Sequence, residues 1–97
     1  MDPMLIIFGK SPEIMARALA ATAAEGIQAM AAHSVAEVMA VLAQAPDALI
    51  AIGGGVPDKE RGELGKALAT ASATVQVIEI YGPGTLVPTV RKAMGLS

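Results

Sequence analysis

Cysteine and tryptophan are both missing from this 97-residue sequence, and histidine occurs once, at His33. Without cysteine the chain cannot form disulfide bonds, thiol nucleophiles or cysteine-ligated metal sites. Aromatic residues account for only 2% of the chain, whereas 54% of it is hydrophobic. Small aliphatic side chains let helices lie close to a sheet, and we expect a core stabilised by many small contacts.

The chain also has no large excess of positive or negative charge. The formal net charge is −2, and lysine and arginine are scattered without a basic run. Nucleic acid is therefore not an expected partner, because its backbone is bound by clustered positive charge. The amino terminus lacks the pattern of an export signal, and Arg17 and Glu25 interrupt the apolar stretch 14–32, so no membrane span is expected. We predict one cytoplasmic domain over residues 1–97.

Strand-like and helix-like segments alternate along the whole chain. The predicted strands are 4–8, 27–32, 48–52 and 75–81, and the predicted helices are 12–24, 35–45, 59–72 and a last helix from 87 or 88 to 94. This alternation is typical of a parallel sheet covered by helices. We predict an α/β fold, a three-layer α/β/α sandwich with a four-stranded parallel sheet.

Capping residues mark the predicted helix starts. Ser11 precedes the first helix, the sequence Ser-Val-Ala-Glu at 34–37 is a capping box, and Asp58 is expected to cap the third helix. Gly62 and Gly65 lie inside that third helix, where each costs about 1 kcal/mol relative to alanine. They predict either close backbone packing or a late, irregular helix start.

The second predicted helix is apolar over more of its circumference than one sheet face requires. Its polar residues, Ser34, Glu37 and Gln44, share one narrow stripe. A partner is expected to cover the excess. The candidate interaction surface consists of Val35, Val38, Met39, Val41 and Leu42.

Three glycines, 53–55, follow the buried third strand and supply backbone amides but no nucleophile, acid or base. This loop should converge with loops 9–12 and 81–85 at the carboxyl ends of the strands, where open α/β sheets bind ligands. The Lys10 ammonium and the helix start after Ser11 would suit a phosphate or carboxylate. Alternatively, the glycines only form tight turns. The candidate ligand-binding residues are Gly9, Lys10, Ser11, Gly53, Gly54, Gly55, Tyr81, Gly82, Gly84 and Thr85.

Two nucleotide-binding motifs are excluded by spacing. Gly-Lys-Ser at 9–11 would need a glycine at position 4 to be a Walker A loop, and position 4 is methionine. The glycines at 53–55 follow the third strand, whereas a dinucleotide fingerprint follows the first.

Other polar residues near this edge leave two interpretations open. His33 could contact an anion or lie exposed in a loop. Glu79 and Tyr81 could form a polar contact or solvate an edge strand. Asp58 and Glu60 could bind a cation or complement a helix start. Because no nucleophile with its base, metal cluster or carboxylate dyad can be assembled, we expect neither an enzyme nor a cofactor or metal.

The order of these segments resembles the receiver domain of bacterial two-component response regulators over nearly the whole chain. This resemblance implies a flavodoxin-like sheet with strand order 2-1-3-4. Receivers carry an acidic pair where this chain has Gly9 and Lys10, and a phosphoacceptor aspartate where it has residues 52–54. One strand-helix unit is also missing, since 80–85 passes directly to the last helix. The chain thus resembles a shortened, degenerate pseudo-receiver without magnesium or aspartyl phosphate, with an exposed edge at its fourth strand.

Two classes of function follow. The leading hypothesis is a protein-interaction module, independent of phosphorylation, that homodimerises or docks on another protein through the second helix or an open strand edge. The alternative is binding of a small anionic ligand or a nucleotide phosphate at the glycine-rich loops.

Overall fold

The computed structural model describes residues 4–53, 55–71, 75–80, 88–90 and 92. Residues 88–90 and 92 are helical, as predicted for the last helix. No helix in these ranges has the length and hydropathy to cross a bilayer. The other elements, in chain order, are β1 (Leu5–Phe8), α1 (Pro12–Ala24), β2 (Ala29–Ala32), α2 (Val35–Gln44), β3 (Leu49–Gly53), α3 (Asp58–Thr70) and β4 (Val77–Ile80).

The strands form one four-stranded parallel sheet in the order β2-β1-β3-β4. This confirms the predicted fold class and strand order. Every residue of β1 is buried, and β3 is buried up to Gly53, because both strands are central and covered on both faces. In contrast, β2 and β4 are the edge strands and are partly exposed.

Alternate residues of the central strands enter two separate cores. Ile6 and Phe8 face α2 and α3, where Val38 and Leu64 pack on them. The opposite face of the sheet packs against α1 and the start of the last helix, through Leu5, Ile7, Leu49, Ala51, Met15, Ala18 and Val90. These two cores make the three layers of the sandwich.

The end of α1 explains why β2 starts later than predicted. Gly26 has a φ of 72°, a left-handed conformation that glycine adopts without steric cost. The N–H of Gly26 donates to the carbonyl of Ala23 and the N–H of Ile27 to that of Thr22, which together form a Schellman motif. Ile27 therefore belongs to the helix cap, and the strand begins at Ala29.

The start of α3 corrects two predictions. Pro57 occupies the N-cap position with no side-chain cap bond, so Asp58 is the first helical residue and not the cap. The helix is continuous through Gly62 and Gly65, and a Cβ added at either glycine would meet no atom within 4 Å. Neither close backbone packing nor a late start accounts for them, and both are exposed glycines in a regular helix.

Candidate functional site

Two of the three predicted loops meet at the carboxyl edge of the sheet. A Cβ built on Gly53 would lie 3.4 Å from the carbonyl oxygen of Phe8 and 3.8 Å from the Cα of Gly9, so the ends of β1 and β3 are adjacent. The N–H of Gly9 also donates to the carbonyl of Ala32 at the end of β2, over 3.1 Å. The other predicted members, Gly54, Tyr81, Gly82, Gly84 and Thr85, lie outside the described residues.

Lys10 lies at this convergence, and its charge is already paired. Its Nζ donates to the carbonyl oxygen of His33 over 2.6 Å and lies 2.8 Å from Glu60 Oε2. The same ammonium stands 5.8 Å from the centre of the Phe8 ring, within the range of a cation–π contact. Glu60 Oε2 is shielded from solvent, and Lys10 is its ion-pair partner. A carboxylate of the chain itself therefore occupies the place predicted for an external anion.

Ser11, Gly9 and Gly55 have different local roles. The Ser11 hydroxyl accepts a hydrogen bond from the N–H of Ile14 over 3.3 Å, so it caps α1 as predicted. A Cβ at Gly9 would come within 2.6 Å of Met15 Sδ, so the flexible Met15 side chain of α1 would have to shift to admit a larger residue there. Gly55 is exposed, and a Cβ there would meet nothing within 4 Å.

His33 is exposed and held by its neighbours. Its backbone N–H donates to Glu37 Oε2 over 2.7 Å, while the N–H of Glu37 donates to Ser34 Oγ over 3.2 Å. The Ser34 half of the predicted capping box is confirmed, whereas the Glu37 carboxylate accepts from the N–H of His33, one residue before the cap, and not from that of Ser34. The His33 ring places Nδ1 at 3.3 Å from the carbonyl oxygen of Gly9. Its observed contacts are those of a loop residue that ties β2 to β1.

Arg61 is a central residue of this edge that the sequence analysis missed. Its Nε donates to the carbonyl of Val56 and its Nη2 to that of Gly53, each over 3.0 Å. Its Nη1 pairs with the carboxylate of Glu79 on β4. Arg61 therefore joins β3, the loop after it and β4. No local pattern marks this role, because the acceptors come from several elements. For Glu79 the sequence left a polar contact and edge solvation open, and the structure shows the polar contact.

The chemistry of the carboxyl edge follows from these pairs. Lys10 is matched by Glu60 and Arg61 by Glu79, so each cation faces an internal carboxylate. In the part of the chain that the structure describes, no three histidine, aspartate or glutamate side chains gather as a metal site requires. The described edge is a set of internal ion pairs and carbonyl contacts.

The predicted interaction surface on α2 needs correction. Val38 and Leu42 are 0% and 5% exposed and belong to the core, so neither is accessible to a partner. Val35, Met39 and Val41 are partly buried against the same core. The physical reason is that α2 packs on α3 as well as on the sheet, and Val38 and Leu42 share one core cluster with Leu64 of α3.

An uncovered apolar surface lies beside β2, and the other exposed large apolar residues among those described are Ile14 and Val77. Met30 is 46% exposed on this edge strand, which pairs with β1 alone among the described strands. A groove of about 260 Å³ adjoins this strand, and we call it the β2 groove. It is lined by Met4, Met30, Ala40, Val41, Gln44 and Ala45. None of these residues is charged. Of the predicted surface, only Val41 contributes to this groove.

Comparison with known proteins identifies the fold class. No family model matches the chain, and no curated protein matches it. Among solved structures, a de novo designed Rossmann fold protein is similar with a TM-score of 0.73, covering 97% of this chain and 98% of that one at 14% identity. At this identity the likeness concerns the fold alone. The chain has a Rossmann-like α/β fold, and the similarity does not single out a receiver domain.

Proposed function

We propose that this protein is a non-catalytic interaction module, a pseudo-receiver acting without phosphorylation, that self-associates through the β2 edge and the β2 groove. The observation that carries the proposal is the exposed Met30 side chain on an uncharged edge strand, beside an apolar groove. Contiguous exposed apolar surface is a feature of protein-protein contact sites, and Met30 is itself part of the groove lining.

The sequence of β2 supports this use. Edge strands of monomeric proteins are commonly protected from other chains by charged side chains, proline or a bulge. The four residues of β2 are Ala-Met-Ala-Ala and include none of these side chains. The opposite edge strand, β4, carries Glu79, which binds Arg61. The two edges of one sheet thus differ in their protection, and among the described strands β2 is the edge without a charged side chain.

The carboxyl edge supports the non-catalytic part of the proposal. The position corresponding to a receiver's phosphoacceptor falls at residues 52–54, Ile-Gly-Gly, which offer no side chain that can accept a phosphoryl group. The position of the acidic pair holds Gly9 and Lys10, and Lys10 is engaged by Glu60. The groups that a receiver uses for magnesium and phosphate are therefore absent from these positions.

Sedimentation equilibrium across a wide range of protein concentrations tests self-association. We expect a concentration-dependent dimer whose dissociation constant rises at least about tenfold in Met30→Lys, because a buried ammonium would be left unpaired in the interface. The matched control is Val77→Lys, since Val77 is 40% exposed on the opposite edge. A wild-type monomer at every concentration, or equal weakening by both variants, would contradict the proposal.

Binding of a small anion at the carboxyl edge is the second candidate. It is favoured by the placement of Lys10 where the ends of β1, β2 and β3 meet, and opposed by the ion pair with Glu60. An anion would have to displace that carboxylate. Thermal shifts with phosphate, nucleotides and small carboxylates test it: a saturable rise that Lys10→Ala abolishes would support an anion site, and no rise would remove it.

A further inference from the structure

The hydrogen-bonding groups of β2 alternate between β1 and the open edge. The N–H of Leu5 donates to the carbonyl of Gln28 and the N–H of Gly9 to that of Ala32, in parallel register with Leu5 opposite Ala29. In a parallel ladder these bonds place the backbone groups of every second residue toward β1. Those of the residues between, Ala29 and Ala31, therefore point to the open edge.

The outward-facing positions flanking this pair are already used. Ile27 donates its N–H to the carbonyl of Thr22 in the cap of α1. His33 donates its N–H to Glu37 Oε2 and accepts from Lys10 Nζ at its carbonyl. Between Ile27, whose N–H is used, and His33, whose N–H and C=O are both used, the open edge of β2 presents the N–H and C=O groups of Ala29 and Ala31, symmetrically placed about Met30.

We infer that two copies of this chain pair through antiparallel β2 strands about a two-fold axis at Met30, an inference that rests on the proposed self-association. In this register Ala29 of each protomer exchanges two hydrogen bonds with Ala31 of its partner. The outward N–H and C=O groups of Ala29 and Ala31 are then all satisfied. A shift of two residues toward either end would place Ile27 or His33 in the ladder, where groups already bonded within the chain would have to be released.

The same axis pairs the apolar side chains. Met30 and Ala32 face the α2 side of the sheet, whereas Ala29 and Ala31 pack on the α1 side. A two-fold axis perpendicular to the sheet keeps each face on its own side, so the two α2 helices and the two β2 grooves lie next to each other. The Met30 residues form the non-hydrogen-bonded pair, with Cα atoms about 4.5 Å apart. The grooves carry no charge, so the copies meet there without like-charge repulsion despite their net negative charge.

The size of this contact predicts its strength. Standard stable interfaces involve about 20 to 30 residues on each side. The strand and the β2 groove supply fewer, since β2 has 4 residues. We therefore expect a weak dimer that a covalent crosslink can trap.

Cysteine crosslinking tests the geometry, and the chain is suited to it because it contains no cysteine of its own. Met30→Cys, incubated with glutathione disulfide as oxidant, should give a disulfide-linked dimer, because the Cα separation falls in the range that disulfides span. Ala31→Cys is the control on the same strand, since equivalent Ala31 residues lie diagonally, about 7–8 Å apart. Val77→Cys is the control on the opposite edge.

We expect at least about tenfold more crosslinked dimer from Met30→Cys than from either control, a ratio that corresponds to a free-energy difference of about 1.4 kcal/mol. A mixture of Ala29→Cys and Ala31→Cys proteins should give a mixed disulfide, which keeps the test decisive if Met30→Cys folds poorly. Sedimentation of the wild type is measured on the same preparations. A wild-type dimer with no preference for these crosslinks overturns the strand pairing and leaves self-association standing, whereas a wild-type monomer overturns both.

Discussion

The polar groups of the carboxyl edge are paired within the chain, whereas the outward backbone groups of the β2 edge are not paired with any described strand. At the carboxyl edge, Lys10 binds Glu60, and Arg61 binds Glu79 together with the carbonyl of Gly53. At the β2 edge, Met30 is exposed and the outward backbone groups of Ala29 and Ala31 have no ladder partner among the described strands.

A general rule for a fold therefore does not indicate which surface of a particular chain is available for contact. Open α/β sheets bind ligands at the carboxyl ends of their strands. In this protein that end is filled by internal carboxylates, while an edge strand and the groove beside it stay uncovered. The two regions should therefore respond differently to substitution.

The largest effect is expected in the part of α2 that faces the core. Leu42→Ala should lower the free energy of unfolding by about 2–4 kcal/mol, since it leaves a cavity beneath a side chain that is 5% exposed. Urea unfolding measures the change, and Ala43→Ser, at an exposed position of the same helix outside the β2 groove, is the control. A change below about 1 kcal/mol in Leu42→Ala would show that this face of α2 is not core.

Arg61 should be the most sensitive charged residue of the carboxyl edge. Arg61→Ala removes two carbonyl contacts and the ion pair with Glu79, and we expect a loss of about 1–3 kcal/mol. Arg61→Lys should recover only part of this, because a single ammonium cannot reproduce the guanidinium fork. The control is Arg17→Ala, whose exposed pair with Glu13 should contribute within about 0.5 kcal/mol. Equal effects at Arg61 and Arg17 would contradict the assigned role.

The glycines of α3 should allow the fold to be stabilised without altering the β2 edge. Gly62→Ala and Gly65→Ala should each raise the free energy of unfolding by about 1 kcal/mol, because both positions are helical and open. Gly26→Ala should have the opposite effect, since the φ there is 72°. Thermal and urea unfolding give the sign of each change, and sedimentation should show unchanged self-association. Destabilisation by either α3 substitution would show an unrecognised requirement for glycine.

The smallest effect is expected from separating Lys10 and Glu60. Both side chains are about one-third exposed, so Glu60→Gln should change the unfolding free energy by less than about 1 kcal/mol. It also releases Lys10 from its carboxylate. A new, saturable thermal shift with phosphate in Glu60→Gln, absent from the wild type, would sharpen the comparison by showing that the internal carboxylate blocks an anion site. No shift in either protein would indicate that this edge has only a structural role.

Local patterns predicted much of the fold. The apolar segments of β1 and β3, the caps at Ser11 and Ser34 and the alternation of elements were sufficient for the parallel sandwich. The site was predicted less completely. Lys10 was placed correctly at the carboxyl edge, but its pairing with Glu60 was not foreseen, since each residue had been interpreted by its immediate neighbours alone.

The strand or helix periodicity of the apolar residues and the helix starts at Ser11 and Ser34 could be predicted from the sequence, because they depend on residues close together in the chain. The composition alone excluded cysteine chemistry. Three outcomes followed from the tertiary structure: Val38 and Leu42 enter a core that α3 shares, Arg61 joins β3 to β4, and Met30 is left exposed. These outcomes depend on which elements become neighbours across the fold. The burial of a side chain and the partner of a charge are set by that packing, which helical or strand periodicity does not specify.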